Sequence, residues 1–435
     1  MLHASCIAAL GQPSQNLDHP SSHTGKNSRR EAATHGPGWI AGQPDCVPER
    51  HQTSIARARV SVTALFFIFG AASATWVSRI PGIQHRLGLS AAQLGVALLA
   101  QPAGAVLAAR CAPALIRRRT SATIARWAVL AGAVCLAPLG LARSMASLAA
   151  GLALLGLSLG TLDIAMNTQG VAVERAYRRP LMSGLHGLYS AGVLAGALLG
   201  AGAAGLAISP LAHFALAGGA VGLTGFLATG HLLGRAADSP NDQISPQDTK
   251  RDVLYKHPVL LAASIMTFCS FFAEGAVDNW SGVFLHQVRD APYAIAALGV
   301  GTCGLAMAIG RLGGDAIIRR WGTTRTLLCA SLLATTGMTL ALVGGSVVSA
   351  LAGYAVFGFG AATIVPIAFS VGGQIPGLAP PRALGFVTTV GYVGFVASPA
   401  LIGLVAHAIG LTWALAIPTL LLLLVAPLSY VARPD

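Results

Sequence analysis

Apolar stretches of about twenty residues recur along the chain, separated by short polar segments. The first reads "VSVTALFFIFGAASATWV" from Val60. Similar stretches cover residues 59–79, 91–109, 124–143, 146–170, 185–207, 210–233, 258–280, 292–311, 325–344, 348–371, 383–405 and 411–431. A helix gains about 1.5 Å per residue, so about 20 apolar residues cross the hydrocarbon core of a bilayer. The pattern therefore predicts an all-α membrane protein with twelve transmembrane helices. Many stretches are built from Gly and Ala, as in "AGVLAGALLGAGAAG" at 191–205. Small residues let neighbouring backbones approach closely in lipid.

Composition supports lipid as the solvent. Hydrophobic residues make up 54% of the chain and charged residues 10%, against roughly 25% charged residues in a soluble domain. The net charge of +13 first suggests an acidic partner, but its distribution gives another reason. Arg110, Arg117, Arg118, Arg119 and Arg126 follow the second stretch. Arg175, Arg178 and Arg179 follow the fourth. Arg235, Lys250, Arg251 and Lys256 follow the sixth, and Arg311, Arg319, Arg320 and Arg325 follow the eighth. The intervening segments hold Arg79, Arg86, Arg143 and Arg289. Basic residues concentrate in cytoplasmic loops, so this alternation places both termini in the cytoplasm. No nucleic-acid partner is needed to account for the charge.

Polar stretches divide the chain. Residues 1–58 read as a disordered cytoplasmic tail with too little apolar content to pack. No apolar core follows a basic start, so no ordinary secretory signal is indicated. Residues 234–257 form a central cytoplasmic loop between two six-helix halves, 59–233 and 258–431, and 432–435 form a cytoplasmic end. The halves repeat: "FFIFGA" at 66–71 answers "FFAEGA" at 271–276, and "ARCAPALIRRRTS" at 109–121 answers "GRLGGDAIIRRWG" at 310–322. Parallel six-helix repeats are a transporter architecture with the site between the halves. The seven cysteines form no Cys-x-x-Cys pair, so neither a disulfide frame nor a zinc site is indicated. The chain has no phosphate-binding loop, no dinucleotide fingerprint and no His-Glu-x-x-His. No cofactor is expected, and a third reading, as a polytopic enzyme or a sensor, lacks a reactive cluster or a soluble sensing domain.

"GRLGGDAIIRRWG" resembles the loop motif of the major facilitator superfamily, with Gly310, Gly314, Asp315, Arg319 and Gly322 in place. In the first-half copy Ala114 stands where the acid belongs. "LDIAMN" at 162–167 resembles the acid-x-x-x-Asn pattern of the fucose–galactose–glucose:proton symporter branch. "TWVSRIPGIQ" (75–84), "GVAVERAYRRPLMSGLHGLYSAG" (170–192) and "EGAVDNW" (274–280) are closer to a bacterial inner-membrane subset that includes a protein linked to rhizopine uptake. The resemblance covers residues 59–431 and implies a multi-pass, monomeric carrier in the bacterial inner membrane.

Two acidic clusters stand out. Asp163 and Asn167 share a helix face at i and i+4. A carboxylate inside a membrane helix is costly unless it faces a cavity or a partner, and marks function by default. Here it reads as a proton-coupling group, or else as a structural acid paired with an arginine such as Arg175. Glu274, Asp278, Asn279 and Trp280 lie on the seventh stretch; oxygens beside aromatic rings suit a sugar or polyol. Trp76 and Trp280 are candidates for the same site or for an interfacial belt. His186 and Tyr189, with Ser190, line the start of the fifth helix. Gln101, Gln374 and Tyr392 are weaker cavity candidates. Gly310, Arg311, Asp315, Arg319 and Arg320 at the cytoplasmic end of the eighth helix read as gating residues. The expected function is proton-coupled uptake of a small polar solute, with proton-coupled export of an amphipathic compound as the alternative. Its partners are that solute, protons and the lipid bilayer.

Overall fold

The computed structural model describes residues 49–177, 181–238, 257–375, 378 and 380–432. Most of the expected tail, residues 239–256 of the central segment, Arg178, Arg179 and residues 433–435 lie outside the described residues. Among the described residues, twelve helices are long and apolar enough to cross a membrane. They are α1 (Ser54–Leu87), α2 (Ala91–Arg118), α3 (Ser121–Leu141), α4 (Met145–Tyr177), α5 (Gly184–Gly205), α6 (Pro210–His231), α7 (Pro258–Arg289), α8 (Tyr293–Gly314), α9 (Thr323–Val343), α10 (Val347–Gly373), α11 (Arg382–Ile409) and α12 (Leu411–Val431). Only helices with all backbone groups satisfied internally can cross lipid as single segments. Their outer faces carry exposed apolar side chains such as Leu199, Val348, Trp413 and Leu420, as a lipid-facing surface requires.

Several helices run beyond the sequence reading, among them α2, α4 and α7, which end at Arg118, Tyr177 and Arg289. The first helix begins at Glu49, inside the expected tail, and Ala58 is fully buried. Arg59 lies over the Tyr177 ring, 5.2 Å from its centroid, and ties the start of α1 to the end of α4. The helix of α8 runs on to Trp321, well beyond the predicted end at 311. A helix does not stop where its apolar run stops when its next turns project beyond the bilayer.

The duplication is visible in the contacts. Arg86 donates to the carbonyls of Gly140 (2.6 Å) and Ala142 (3.4 Å), closing the end of α3. Arg289 does the same for Leu342 (2.6 Å) and Ala341 (3.2 Å) at the end of α9. A cation at a helix C-terminus satisfies orphan carbonyls and faces the negative end of the dipole. The Phe69 and Tyr189 rings meet at 5.5 Å between α1 and α5; Phe271 and Tyr392 meet at 5.6 Å between α7 and α11. Gln287 donates to Gln84 at 3.1 Å, joining residues 203 apart in sequence and one from each half. Arg86 and Arg289, and Tyr189 and Tyr392, share that spacing. The structural repeat is therefore slightly shorter than the "FFIFGA"/"FFAEGA" match implies. Glu274 corresponds to Ala71 and not to Phe69; its counterpart is apolar either way.

The halves converge at one end. Gly95 of α2 lies against Pro399, Ala400 and Gly403 of α11; Gly301 and Gly304 of α8 lie against Ala197 and Val193 of α5; Gly282 of α7 meets Pro81. All these approaches lie toward the end that carries the α1–α2 and α7–α8 turns. At the other end, where the central segment attaches, Gly184, Gly187 and Gly385 have nothing within 4 Å of an added Cβ. The close approaches between the halves thus fall at the face remote from the central segment.

Candidate functional site

Two helices of the site, α4 and α5, are set by close glycine packing. Gly156 and Gly160 hold α4 against α2, and Gly192 and Gly196 hold α5 against α1. On α4, Asp163 is 4% exposed. Asn167 donates to its carboxylate oxygen (3.1 Å) and to its backbone carbonyl (2.8 Å). Among the described residues the only ion pair is elsewhere, so Asp163 has an amide partner and no cation. Arg175 does not pair with it.

That ion pair joins Arg311 of α8 to Glu274 of α7 at 4.0 Å, with side chains 25% and 15% exposed. Ser270, one turn before Glu274, donates to its other oxygen at 3.2 Å. Asp278 stands one turn beyond and feels the charge of both Glu274 and Arg311. Arg311 was expected at the cytoplasmic end of its helix beside Arg319 and Arg320. It stands about three turns before that end instead, because the helix continues to Trp321. Arg319 and Arg320 are exposed near the helix end, and Gly310 packs on Phe359 of α10. Asp315 lies on the same helix.

Tyr189 of α5 links the clusters: the charges of Asp278, Arg311, Asp163 and Glu274 all act on it. His186, one turn earlier, packs edge-on against Phe66 (5.1 Å), contacts the Met182 carbonyl through Nδ1 (2.8 Å) and also feels Arg311. Asp163, Asn167, His186 and Tyr189 from one half thus share an interior with Ser270, Glu274, Asp278 and Arg311 from the other. Sequence reasoning missed Ser270 and misplaced Arg311. The i to i+4 spacing of Ser270, Glu274 and Asp278 is the signal that would have found the serine.

Other candidates are not brought to this point. Trp76 is fully buried against Phe214 of α6. Trp280 is fully buried where α7 meets α11, beside Gly403. Neither ring lies on the lipid surface. Asn279 donates to the Gly275 carbonyl on its own helix at 2.8 Å. Gln374 bonds Ser370 at 2.7 Å and is exposed, and Gln101 is buried where α2 meets α4. Among the described residues no His, Cys, Asp and Glu cluster has the makings of a metal site.

Comparison with known proteins agrees with this architecture. An uncharacterised MFS-type transporter of Yersinia pestis is 34% identical over 376 residues, covering 85% of this chain and 94% of its own. The membrane protein MosC of Rhizobium meliloti is 30% identical over 365 residues, covering 82% and 86%. Among solved structures, a bacterial homologue of the human lysosomal transporter Spinster aligns with a TM-score of 0.69 at 15% identity, over 88% of this chain and 97% of that one. The Escherichia coli fucose:proton symporter FucP aligns with a TM-score of 0.57 at 16% identity, over 88% and 100%. The sequence profile of the Major Facilitator Superfamily matches residues 64–378. The chain is a multi-pass membrane transporter, not an enzyme, and belongs to the major facilitator superfamily.

Proposed function

We propose that this transporter takes up a small polar solute, a sugar, polyol or related metabolite, together with protons. The observation that carries this reading is the position of Asp163. It is buried, held by Asn167 and, among the described residues, without a cationic partner, in the same interior as Glu274, Asp278 and Arg311. A carboxylate with no counter-charge in a poorly hydrated interior is stabilised by a proton. Alternate exposure to the two faces then lets it load on one side and release on the other. Glu274, Arg311, Ser270, Asp278, His186 and Tyr189 offer donors and acceptors for hydroxyl groups, and Tyr189 and Phe69 offer an apolar face for the C–H side of a ring. Fucose, named for one protein of this fold, is a solute of that kind.

In this scheme the face beside the central segment is cytoplasmic, as the arginine distribution implies, and the protein sits in the bacterial inner membrane as a monomer with both termini inside. The turns around Gly310, Asp315, Arg319 and Arg320 act in closing that face.

Purified protein in proteoliposomes, given a panel of labelled sugars and polyols under an imposed pH gradient, tests the scheme. Asp163→Asn is expected to lose accumulation driven by the gradient and to keep exchange of labelled for unlabelled solute, since exchange requires reorientation of the loaded carrier only. Glu274→Gln is expected to weaken both, because a hydrogen bond to a charged group is worth about 1.5–3 kcal/mol. Accumulation by Asp163→Asn in step with the pH gradient would remove Asp163 from the coupling role.

A further inference from the structure

A second polar cluster lies outside the transport interior. Trp76 and Arg79 sit three residues apart near the end of α1, in the stretch "TWVSRIPGIQ". Arg79 is 8% exposed, and one arm of its guanidinium donates to the Ile208 carbonyl in the α5–α6 turn at 2.7 Å. Among the described residues the other arm, Nη1, has no partner, and no acidic side chain pairs with this buried cation. The Trp76 indole N–H, fully buried, is also unpartnered. So are both ring nitrogens of His213, which is 6% exposed in the first turn of α6 and feels the charge of Arg79.

These groups converge. Trp76 and His213 both pack on the Phe214 ring, at 6.4 and 5.5 Å. A Cβ added at Gly200 of α5 would overlap Ser78 and lie 3.7 Å from His213 Cε1, so α5 closes the cluster from the third side with a residue that leaves space. The unpaired inventory is one guanidinium arm, one indole N–H and an imidazole, beside the N-terminus of α6. It is rich in donors and carries positive charge. Buried polar atoms are rarely left without partners, and a buried charge without a counter-charge is expensive.

We infer that Trp76, Arg79 and His213 form a binding site for a small monovalent inorganic anion such as chloride, inside the first half and separate from the transport interior. Arg79 supplies the charge, and the indole and imidazole supply directed N–H donors. The bound anion holds the turn between α5 and α6 against the end of α1.

Equilibrium binding of radiolabelled chloride to the purified full chain, in gluconate buffers of constant ionic strength, tests this. Wild type is expected to bind one chloride per chain, saturably and in competition with bromide. Trp76→Phe keeps the ring and removes one N–H, and is expected to weaken binding about tenfold or more. Arg79→Gln is expected to abolish it, and Asp163→Asn to leave it unchanged. Absence of saturable binding would mean that the donors meet water only. Full-strength binding in Trp76→Phe, or its loss in Arg311→Gln with retention in Arg79→Gln, would place the anion elsewhere and overturn the assignment.

Discussion

Substitution of Gly95 by alanine is expected to push the two halves apart at the closed face. A Cβ on residue 95 would lie 2.6 Å from the Pro399 carbonyl oxygen and 3.0 Å from Gly403 Cα. Both are backbone atoms, so neither can swing aside. Forcing an extra carbon into a packed contact costs about 1–3 kcal/mol. Gly95 and Gly403 belong to different halves, so the clash exists only while this face is closed. The cost therefore falls on one conformer and shifts the equilibrium. At 1.4 kcal/mol per factor of ten, the shift is about 5-fold to about 150-fold toward the form opened at this face. The Gln84–Gln287 bond across the same seam contributes about 1 kcal/mol, so one methyl group is enough to outweigh it. Spin labels on Arg143→Cys and Val348→Cys, both exposed, at the start of α4 and of α10, read the separation by pulsed dipolar spectroscopy in a cysteine-free background. The longer-distance population should rise in Gly95→Ala. A distribution identical to that of the parent, with unchanged turnover, would refute a seal at Gly95 and Gly403.

Three further outcomes follow from the geometry. Arg311→Gln should abolish solute binding or weaken it severely by stranding Glu274, and Arg311→Gln with Glu274→Gln should bind better than Arg311→Gln, because an isolated charge in the interior costs more than none; equilibrium binding of the solute in detergent checks this. Gln169 is fully buried, donates to Ser121 Oγ (2.7 Å) and the Leu233 carbonyl (2.9 Å) and accepts from the Leu233 amide (2.9 Å). Gln169→Leu should lower the thermal midpoint at about 1–3 kcal/mol per group left unpaired, with solute affinity retained. For orientation, an impermeant thiol reagent on intact cells should label Arg143→Cys and spare Arg117→Cys; the reverse pattern would invert the topology.

The fold was legible because lipid imposes a length. A run of apolar residues long enough to cross hydrocarbon has few other uses, so twelve runs announce twelve helices. The ends were not legible, since a helix can extend into water on a polar face. That is why Arg311 was placed at the end of its helix when that helix in fact carries on to Trp321. The carboxylates of the site were legible as anomalies: Asp163, Glu274 and Asp278 are expensive where they stand. Their partners were not. Ser270 looks like any small helix residue, and the Glu274–Arg311 pair joins two helices whose facing angles no single stretch reveals. Tryptophan misled in another way. Trp76 and Trp280 are as compatible with a core as with a site or a belt, and both are fully buried.

Duplication sorts the polar residues further. Arg86 and Arg289 cap equivalent helices, and Gln84 and Gln287 bond each other across the seam. Each of these tasks arises twice because the frame is built twice. In the proposed scheme a solute and a proton are handled once per cycle, and the charged groups assigned to them break the repeat. Glu274 faces an apolar counterpart in the first half, Asp163 has no acidic counterpart in the second, and at the same spacing Arg311 falls opposite Ala108. In that scheme asymmetry between the halves marks the residues on which coupling and recognition depend, whereas symmetry marks those that hold the carrier together while it moves.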